Sequence, residues 1–177
     1  MNKHGGSPSE IETSIFTESY LSHHKIDMVS ITESYQNSWN TISSEYQRRA
    51  QNIFEVTIPD DITAYITINN RCPYDIRNNT FYVSIHGSAP TKTAMHELWH
   101  FYTWYKYGFE WEQKLGVAKY NEIKEALTVL LNVECGDLLP EGVRDNGYSQ
   151  HKELREKILV LWSKEKNMNS LWQALVL

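Results

Sequence analysis

The stretch Thr93–Tyr102, with the sequence TAMHELWHFY, has two histidines four residues apart and a glutamate directly after the first. An α-helix turns once in about 3.6 residues, so His96 and His100 would lie one above the other on one helix face. Both imidazoles would then reach one ion without bending the backbone. Glu97 would lie about 100° around the helix from His96, close enough to contact a water molecule on that ion. This spacing indicates metal-assisted hydrolysis, in which zinc is held by nitrogen ligands and a carboxylate takes a proton from water.

The neighbours of these three residues are uncharged. From Thr93 to Tyr102 they are Thr, Ala, Met, Leu, Trp, Phe and Tyr. A surface helix would show Lys and Glu at its outer positions, so we expect this helix to be enclosed on most sides. A buried helix that carries two histidines by chance is the simpler alternative, but its polar groups would cost free energy without a partner. A metal ion is such a partner, and we therefore predict a metal site.

This stretch resembles the active-site helix of the zincin metallopeptidases. Their extended motif has Val or Thr three residues before the first histidine and uncharged residues around the pair. The residues that fit this pattern are Thr93, Ala94, Leu98, Trp99 and Phe101. The resemblance covers residues 80–135 and carries little outside them. It implies one Zn²⁺ per chain, bound through His96 and His100, with Glu97 as the general base.

Catalytic zinc takes three protein ligands and leaves one position open for water. A third-histidine extension of the motif is absent, because Thr103 and Lys106 stand at its glycine and histidine positions. The next predicted helix instead offers Glu122 and Glu125, which follow His100 by 22 and 25 residues. A glutamate on a following helix is the pattern of the gluzincin, or thermolysin-like, branch. The chain resembles a compact member of that branch.

Helical position separates the two glutamates. Glu125 shares a stripe with Thr128 and Asn132, and these polar residues inside an apolar stretch need partners such as a zinc site. Glu122 lies near the helix start, where the helix dipole already favours an acidic residue. Asn121-Glu122, however, matches the Asn-Glu pair of the thermolysin motif, although the Asp that follows in that motif is missing for either glutamate. We predict Glu125 as the third ligand and keep Glu122 as the alternative.

Related peptidases stabilise the oxyanion of the transition state with a Tyr or a His. Arg144, Tyr148 and His151 stand where the lower half of a cleft would supply such a group. The sequence does not choose among the three, and for each of them an ordinary loop position is the simpler interpretation.

The composition is typical of one globular domain spanning residues 1–177, with 41% hydrophobic and 12% aromatic residues. A formal charge of −5 argues against nucleic acid as a partner, since phosphates are neutralised by basic surfaces. The sequence contains no run of 18 apolar residues, so we expect no membrane span. The first 20 residues are polar and show no secretory signal. We therefore expect a cytoplasmic protein in which Cys72 and Cys135 are reduced.

The pattern along the chain predicts an α+β fold. Residues 1–9 are expected to be disordered, and 10–52 form an N-terminal helical segment with one helix over about 30–50. Residues 53–135 form the catalytic core. Residues 136–177 form C-terminal helices, at His151–Trp162 and near Ser170–Val176.

Within the core, alternating β-branched runs at Phe54–Ile58, Ala64–Ile68 and Thr80–His86 predict a small antiparallel sheet of three strands. The motif helix is predicted to end at Gly108, and a second helix to cover Tyr120–Glu134. In the zincins the strand just before the motif helix is usually the sheet edge that binds substrate. The resemblance thus implies that Thr80–His86 pairs with an extended peptide.

Together these patterns predict a zinc-dependent metallopeptidase of the gluzincin type that acts on a peptide or protein substrate. A regulatory or binding module that keeps the zincin fold with little or no hydrolysis is the first alternative. A structural helical domain without metal is the second.

Overall fold

The computed structural model describes residues 18–69 and 71–177 of the chain. They fall into two compact units, one that ends at Asn37 and one that covers Ser38–Leu177. The disorder predicted for residues 1–9 lies outside the described residues. The prediction that residues 1–177 form one domain stays a prediction. The α+β class with N- and C-terminal helices is confirmed.

The N-terminal segment contains α1 (Glu18–His23), α2 (Met28–Asn40) and α3 (Ser43–Phe54). The one helix predicted over 30–50 is therefore wrong, since it is interrupted between α2 and α3. At the interruption the hydroxyl of Thr41 donates to the carbonyl oxygen of Ser38 at 2.7 Å, so a side chain takes an acceptor that the helix would otherwise use.

The sheet has three strands, β1 (Thr63–Thr67), β2 (Tyr74–Asp75) and β3 (Thr80–Ser84), in the order β1-β3-β2. β1 pairs with β3 in parallel and β2 pairs with β3 antiparallel. The sheet is thus mixed, and its prediction as antiparallel holds only for β2 with β3.

Two strand predictions are wrong. The run Phe54–Ile58 forms no strand, because Phe54 is a fully buried residue that ends α3 and Glu55 takes a left-handed conformation with φ 55°. β3 is not the edge strand, because β1 and β2 flank it on both sides. Its inward residues Phe81 and Val83 are buried, which suits a central strand.

The motif lies in α4 (Pro90–Leu115), a helix of 26 residues. It was predicted to end at Gly108, and this is wrong. A Cβ on Gly108 would meet the ring of Trp104, so this glycine makes room for a side chain inside the helix. The helix ends at Gly116, where φ is 79°.

The glutamate helix is divided in the structure into α5 (Val117–Leu127) and α6 (Leu130–Glu134). Short 3₁₀ turns follow at Gly136–Leu138 and Ser149–His151. The chain continues in α7 (Lys152–Lys164) and α8 (Met168–Val176), which confirms the two C-terminal helices to within a few residues.

Two aromatic groups hold α4 in place. On one side, Phe54 of α3 packs edge-on against Trp99 with ring centroids 4.9 Å apart, and the Tyr46 hydroxyl donates to the Met95 carbonyl at 2.7 Å. On the other, Trp172 of α8 stacks on Tyr107 at 4.0 Å. Full burial of one such ring contributes about 1.5–3 kcal/mol, so these contacts fix the helix that carries the motif.

Two further observations bear on the wider predictions. Cys72 and Cys135 are free thiols. Among the described residues, no helix combines the length and the apolar content that crossing a bilayer requires.

Candidate metal centre

His96 and His100 lie on successive turns of α4 and face the same way. Their Nε2 atoms are 3.1 Å apart, and their ring centroids are separated by 4.6 Å. His100 is almost fully buried, and the His96 side chain keeps 17% of its surface exposed. The four-residue spacing thus brings two imidazole nitrogens to one point, as predicted.

Glu125 of α5 brings a carboxylate to the same point. Its Oε2 is 3.6 Å from His96 Nε2 and its Oε1 is 3.4 Å from His100 Nε2. Two ligands bound tetrahedrally to one zinc at 2.0–2.2 Å lie roughly 3.4 Å apart. The donor atoms of these three residues all lie within 4.8 Å of one another, so the group could hold a metal ion.

Glu122, the alternative third ligand, lies elsewhere. Its carboxylate pairs with Lys119 at 2.9 Å, and its side chain is 40% exposed against 19% for Glu125. Glu122 and Glu125 therefore lie on different sides of α5, Glu122 towards solvent and Glu125 towards the histidines.

Asp145 is the main site residue that the sequence analysis missed. Its Oδ2 lies 2.7 Å from Nδ1 of His96, and its side chain is 3% exposed. A carboxylate on Nδ1 holds the proton on that nitrogen and leaves the lone pair of Nε2 directed at the metal group.

A buried network holds Asp145 in turn. The Thr128 hydroxyl donates to its Oδ1 at 2.9 Å, and Arg155 Nη2 donates to its carbonyl oxygen at 2.6 Å. Asn132 forms two hydrogen bonds with its backbone, both of 2.8 Å. Thr128 and Asn132 are the polar stripe noted beside Glu125, and their partner is this loop residue rather than the metal itself. The stripe was the only signal of Asp145 in the sequence.

Lys124 and Tyr74 support Glu125 from the other side. The Lys124 ammonium is buried, lies 3.1 Å from Glu125 Oε1, donates to the Tyr74 hydroxyl and sits 4.6 Å from the centre of the Tyr74 ring. Burial alone would raise the pKa of Glu125, but hydrogen bonds from His100 and His96 and the charge of Lys124 together lower that pKa well below its usual range. Glu125 is therefore an anion, the form that binds metal.

The two histidines differ in protonation. Burial lowers the pKa of His100 to about 3, so this imidazole is neutral at ordinary pH and free to act as a ligand. For His96, burial is opposed by the carboxylates of Asp145 and Glu125, and the pKa rises to about 9. A metal ion would displace the proton from His96 Nε2, so metal binding would release a proton.

Glu97 lies next to the group formed by His96, His100 and Glu125 but does not belong to it. It is 6% exposed, and burial raises its pKa to about 7, with the charge of Glu125 acting in the same direction and that of His96 opposing it. A carboxylate with a pKa close to neutral is suited to both accepting and returning a proton.

These groups form the floor of a cleft of about 780 Å³. Three segments form its walls: Arg71–Tyr74, Lys92–Thr93 and Arg144–Tyr148. The described residues that line it include none from β3. The strand expected to bind substrate is thus not part of the cleft lining, which instead includes the segment Arg71–Tyr74 that leads into β2.

The three oxyanion candidates are placed differently. Arg144 and Tyr148 line the cleft, and Tyr148 is 56% exposed. His151 is buried and packs edge-on against the Tyr148 ring at 5.7 Å. It is not among the described residues that line the cleft.

No protein family model, curated protein or solved structure matches the chain.

Proposed function

We propose that the chain is a zinc-dependent metallopeptidase of gluzincin type that hydrolyses peptide bonds. The observation that carries the proposal is the convergence of His96, His100 and Glu125, whose donor atoms all lie within 4.8 Å of one another. Glu97 adjoins this point at the floor of an open cleft.

The chemistry of the donors fits zinc. Two imidazoles and one carboxylate form the ligand set of thermolysin-like catalytic sites, with the fourth position left for water. When bound, zinc would act as a Lewis acid and lower the pKa of a water ligand towards neutrality.

Glu97 would act as the general base. Its buried carboxylate would accept a proton from the attacking water and pass that proton to the leaving amine.

Two neighbours would position the ligands. Asp145 would orient His96 through its hydrogen bond to Nδ1, and Lys124 would keep Glu125 ionised and directed at the metal. Tyr148, whose phenol borders the cleft, is our candidate for the group that donates a hydrogen bond to the developing oxyanion.

The substrate would lie along Arg71–Tyr74. This segment leads into β2, one of the two edge strands of the sheet, which is paired on one side only and would therefore offer a free edge to an extended chain.

The first experiment measures zinc by elemental analysis in the wild type and in Glu125→Ala and Glu122→Ala. We expect one zinc per chain in the wild type, its loss in Glu125→Ala and its retention in Glu122→Ala, which is the matched control on the same helix. A wild type that binds no zinc after reconstitution would exclude the proposed enzyme.

A second variant separates an enzyme from a binding module with the same site. Glu97→Gln keeps the size of the side chain but removes its basicity, so hydrolysis of unstructured peptides should be lost while zinc is retained. The binding module would be favoured if the zinc-loaded wild type cleaved no peptide at all.

A further inference from the structure

Building on the proposed function, we infer that the substrate is an acidic peptide whose carboxylates are bound by Arg71, Lys92 and Arg144 at the rim of the cleft. We call these three residues the rim cations. Each comes from a different wall of the cleft. The inference adds a substrate class to the site and does not depend on how the bond is cleaved.

The rim cations have no acidic partner in the part of the chain that the structure describes. None of them takes part in the ion pairs there, although eight other Lys and Arg residues do. Among the described residues, the Arg144 side chain donates one hydrogen bond, to the neighbouring Val143 carbonyl at 3.2 Å. Arg71 and Arg144 are exposed and Lys92 is half-buried, so their charges are accessible to a ligand.

Two of the three carboxylates that line the cleft are paired with buried cations, and the third is itself buried. Glu125 lies against Lys124 at 3.1 Å, and Asp145 lies against Arg155 at 3.1 Å. Glu97 is buried at the floor. No other Asp or Glu lines the cleft among the described residues. The exposed charges that line the cleft are therefore cationic, whereas its three carboxylates are buried or half-buried.

This positive rim contrasts with the whole chain, which has a formal charge of −5. A cleft with charges of one sign on low-dielectric walls concentrates ligands of the opposite sign. Arg71 and Arg144 stand on two different segments of the cleft wall. A peptide between these walls would meet cations on both sides.

The carboxylates have two sources in a peptide. They come from Glu and Asp side chains around the scissile bond or from the chain's own C-terminus. Because each of the three walls carries one cation, the cleft favours a peptide with several carboxylates over one with a single terminal carboxylate. We therefore expect the carboxylates of Glu and Asp side chains to contribute most of the binding.

The test uses the zinc-loaded Glu97→Gln variant, in which binding is measured without turnover. The probes are fluorescein-labelled peptide amides with a central Ala-Leu pair flanked on each side by two glutamates, or by two glutamines in the matched probe. A third probe is the glutamine peptide with a free C-terminal carboxylate. Dissociation constants are read from fluorescence anisotropy at low and high salt.

We expect the glutamate peptide to bind at least about tenfold more tightly than the glutamine peptide, since each exposed charge pair contributes about twofold to fivefold. This preference should shrink at high salt. The free carboxylate should add about twofold to fivefold. A free-carboxylate peptide that bound as tightly as the glutamate peptide would overturn side-chain recognition.

The decisive experiment substitutes the rim cations. The triple variant Arg71→Gln, Lys92→Gln and Arg144→Gln should lose the preference for glutamate. Its control, Arg77→Gln, Lys152→Gln and Lys164→Gln, removes the same charge at residues that do not line the cleft and should keep the preference. Zinc content is measured on every variant to show that the centre is intact.

Three results would overturn the inference: equal binding of the two amides, no binding of either, or a preference that survives in the rim variant. Each leaves the proposed function standing if the wild type binds zinc and cleaves neutral peptides. A wild type without zinc would instead overturn the proposed function, and this inference with it.

Discussion

The two faces of α4 have opposite compositions. The face towards α3 and the core presents Met95, Trp99 and Tyr102, all fully buried, and the rings of Phe54 and Tyr46 pack against it. The face towards the cleft presents His96 and His100 among carboxylates and hydrogen-bond donors. One face of the helix thus contributes to stability and the other forms the candidate metal centre. Substitutions on the core face should therefore change the free energy of unfolding, and those on the cleft face should change zinc binding.

The largest expected effect is on the core face. Phe54→Ala should lower the free energy of unfolding by about 3–5 kcal/mol, because it removes the ring that packs on Trp99 and Tyr102 and leaves a cavity. Urea unfolding monitored by circular dichroism measures this. Phe109→Ala is the control, since Phe109 is 68% exposed and its loss should change stability by less than about 0.5 kcal/mol. Zinc stoichiometry of the folded Phe54→Ala protein should stay at the wild-type value, and its loss would break the separation of the two faces.

On the cleft face, Asp145→Asn should weaken zinc binding by about 10- to 100-fold, because His96 loses the carboxylate that orients it. Competition with a chromogenic chelator measures the affinity. Asp137→Asn removes a carboxylate that pairs with Arg49 at the surface and should leave the affinity unchanged. Equal affinities in the wild type and Asp145→Asn would show that Asp145 belongs to the scaffold alone.

A smaller effect is expected where a polar group lies on the core face. Tyr46→Phe removes the buried hydrogen bond to the Met95 carbonyl and should cost about 1 kcal/mol of stability. Tyr65→Phe, at a half-exposed ring in β1, should cost less and serves as the control. Because Met95 directly precedes His96, zinc affinity is measured as well. A loss of affinity in Tyr46→Phe would show that the two faces are coupled through the backbone.

The smallest effect concerns the outer surface of α3. Hydrogen bonds from Arg48 and Arg49 lower the pKa of Glu45 from 4.5 to about 2. A carboxylate with a lowered pKa in the folded state stabilises the protein above its unfolded pKa and loses this effect as the pH falls from 4.5 towards 2. Urea midpoints of the wild type and Glu45→Gln should therefore differ slightly at neutral pH and converge in acid. A difference that grew on acidification would contradict the assignment.

Local spacing predicted the parts of the site that depend on one helix. The distance from His96 to His100 is fixed by the helical repeat, and Glu125 was separated from Glu122 by the polar stripe that follows it. The C-terminal helices followed from the same periodicity. In these cases the physical constraint acts within a few residues and is visible in the sequence.

Other features depend on contacts between distant residues. Asp145 lies 49 positions after His96, and no periodicity connects the two. Gly108 has the residue type that ends helices, but the ring of Trp104 needs the space and the helix continues. The alternating residues of β1 and β3 indicate strands without revealing that they run parallel, because direction depends on the connection that passes through β2.

The position of Arg155 has a consequence for biosynthesis. Arg155, on α7, donates to Asp145, and Asp145 is hydrogen-bonded to His96, so a candidate ligand encoded near the middle of the chain depends on a residue that the ribosome adds much later. Trp172 of α8 stacks on Tyr107 in the helix that carries both histidines, which moves this dependence still closer to the C-terminus. A nascent chain can form α4 while translation continues, but it cannot assemble the complete centre. Ribosome-bound intermediates that stop before α7 should therefore bind zinc more weakly than the full chain.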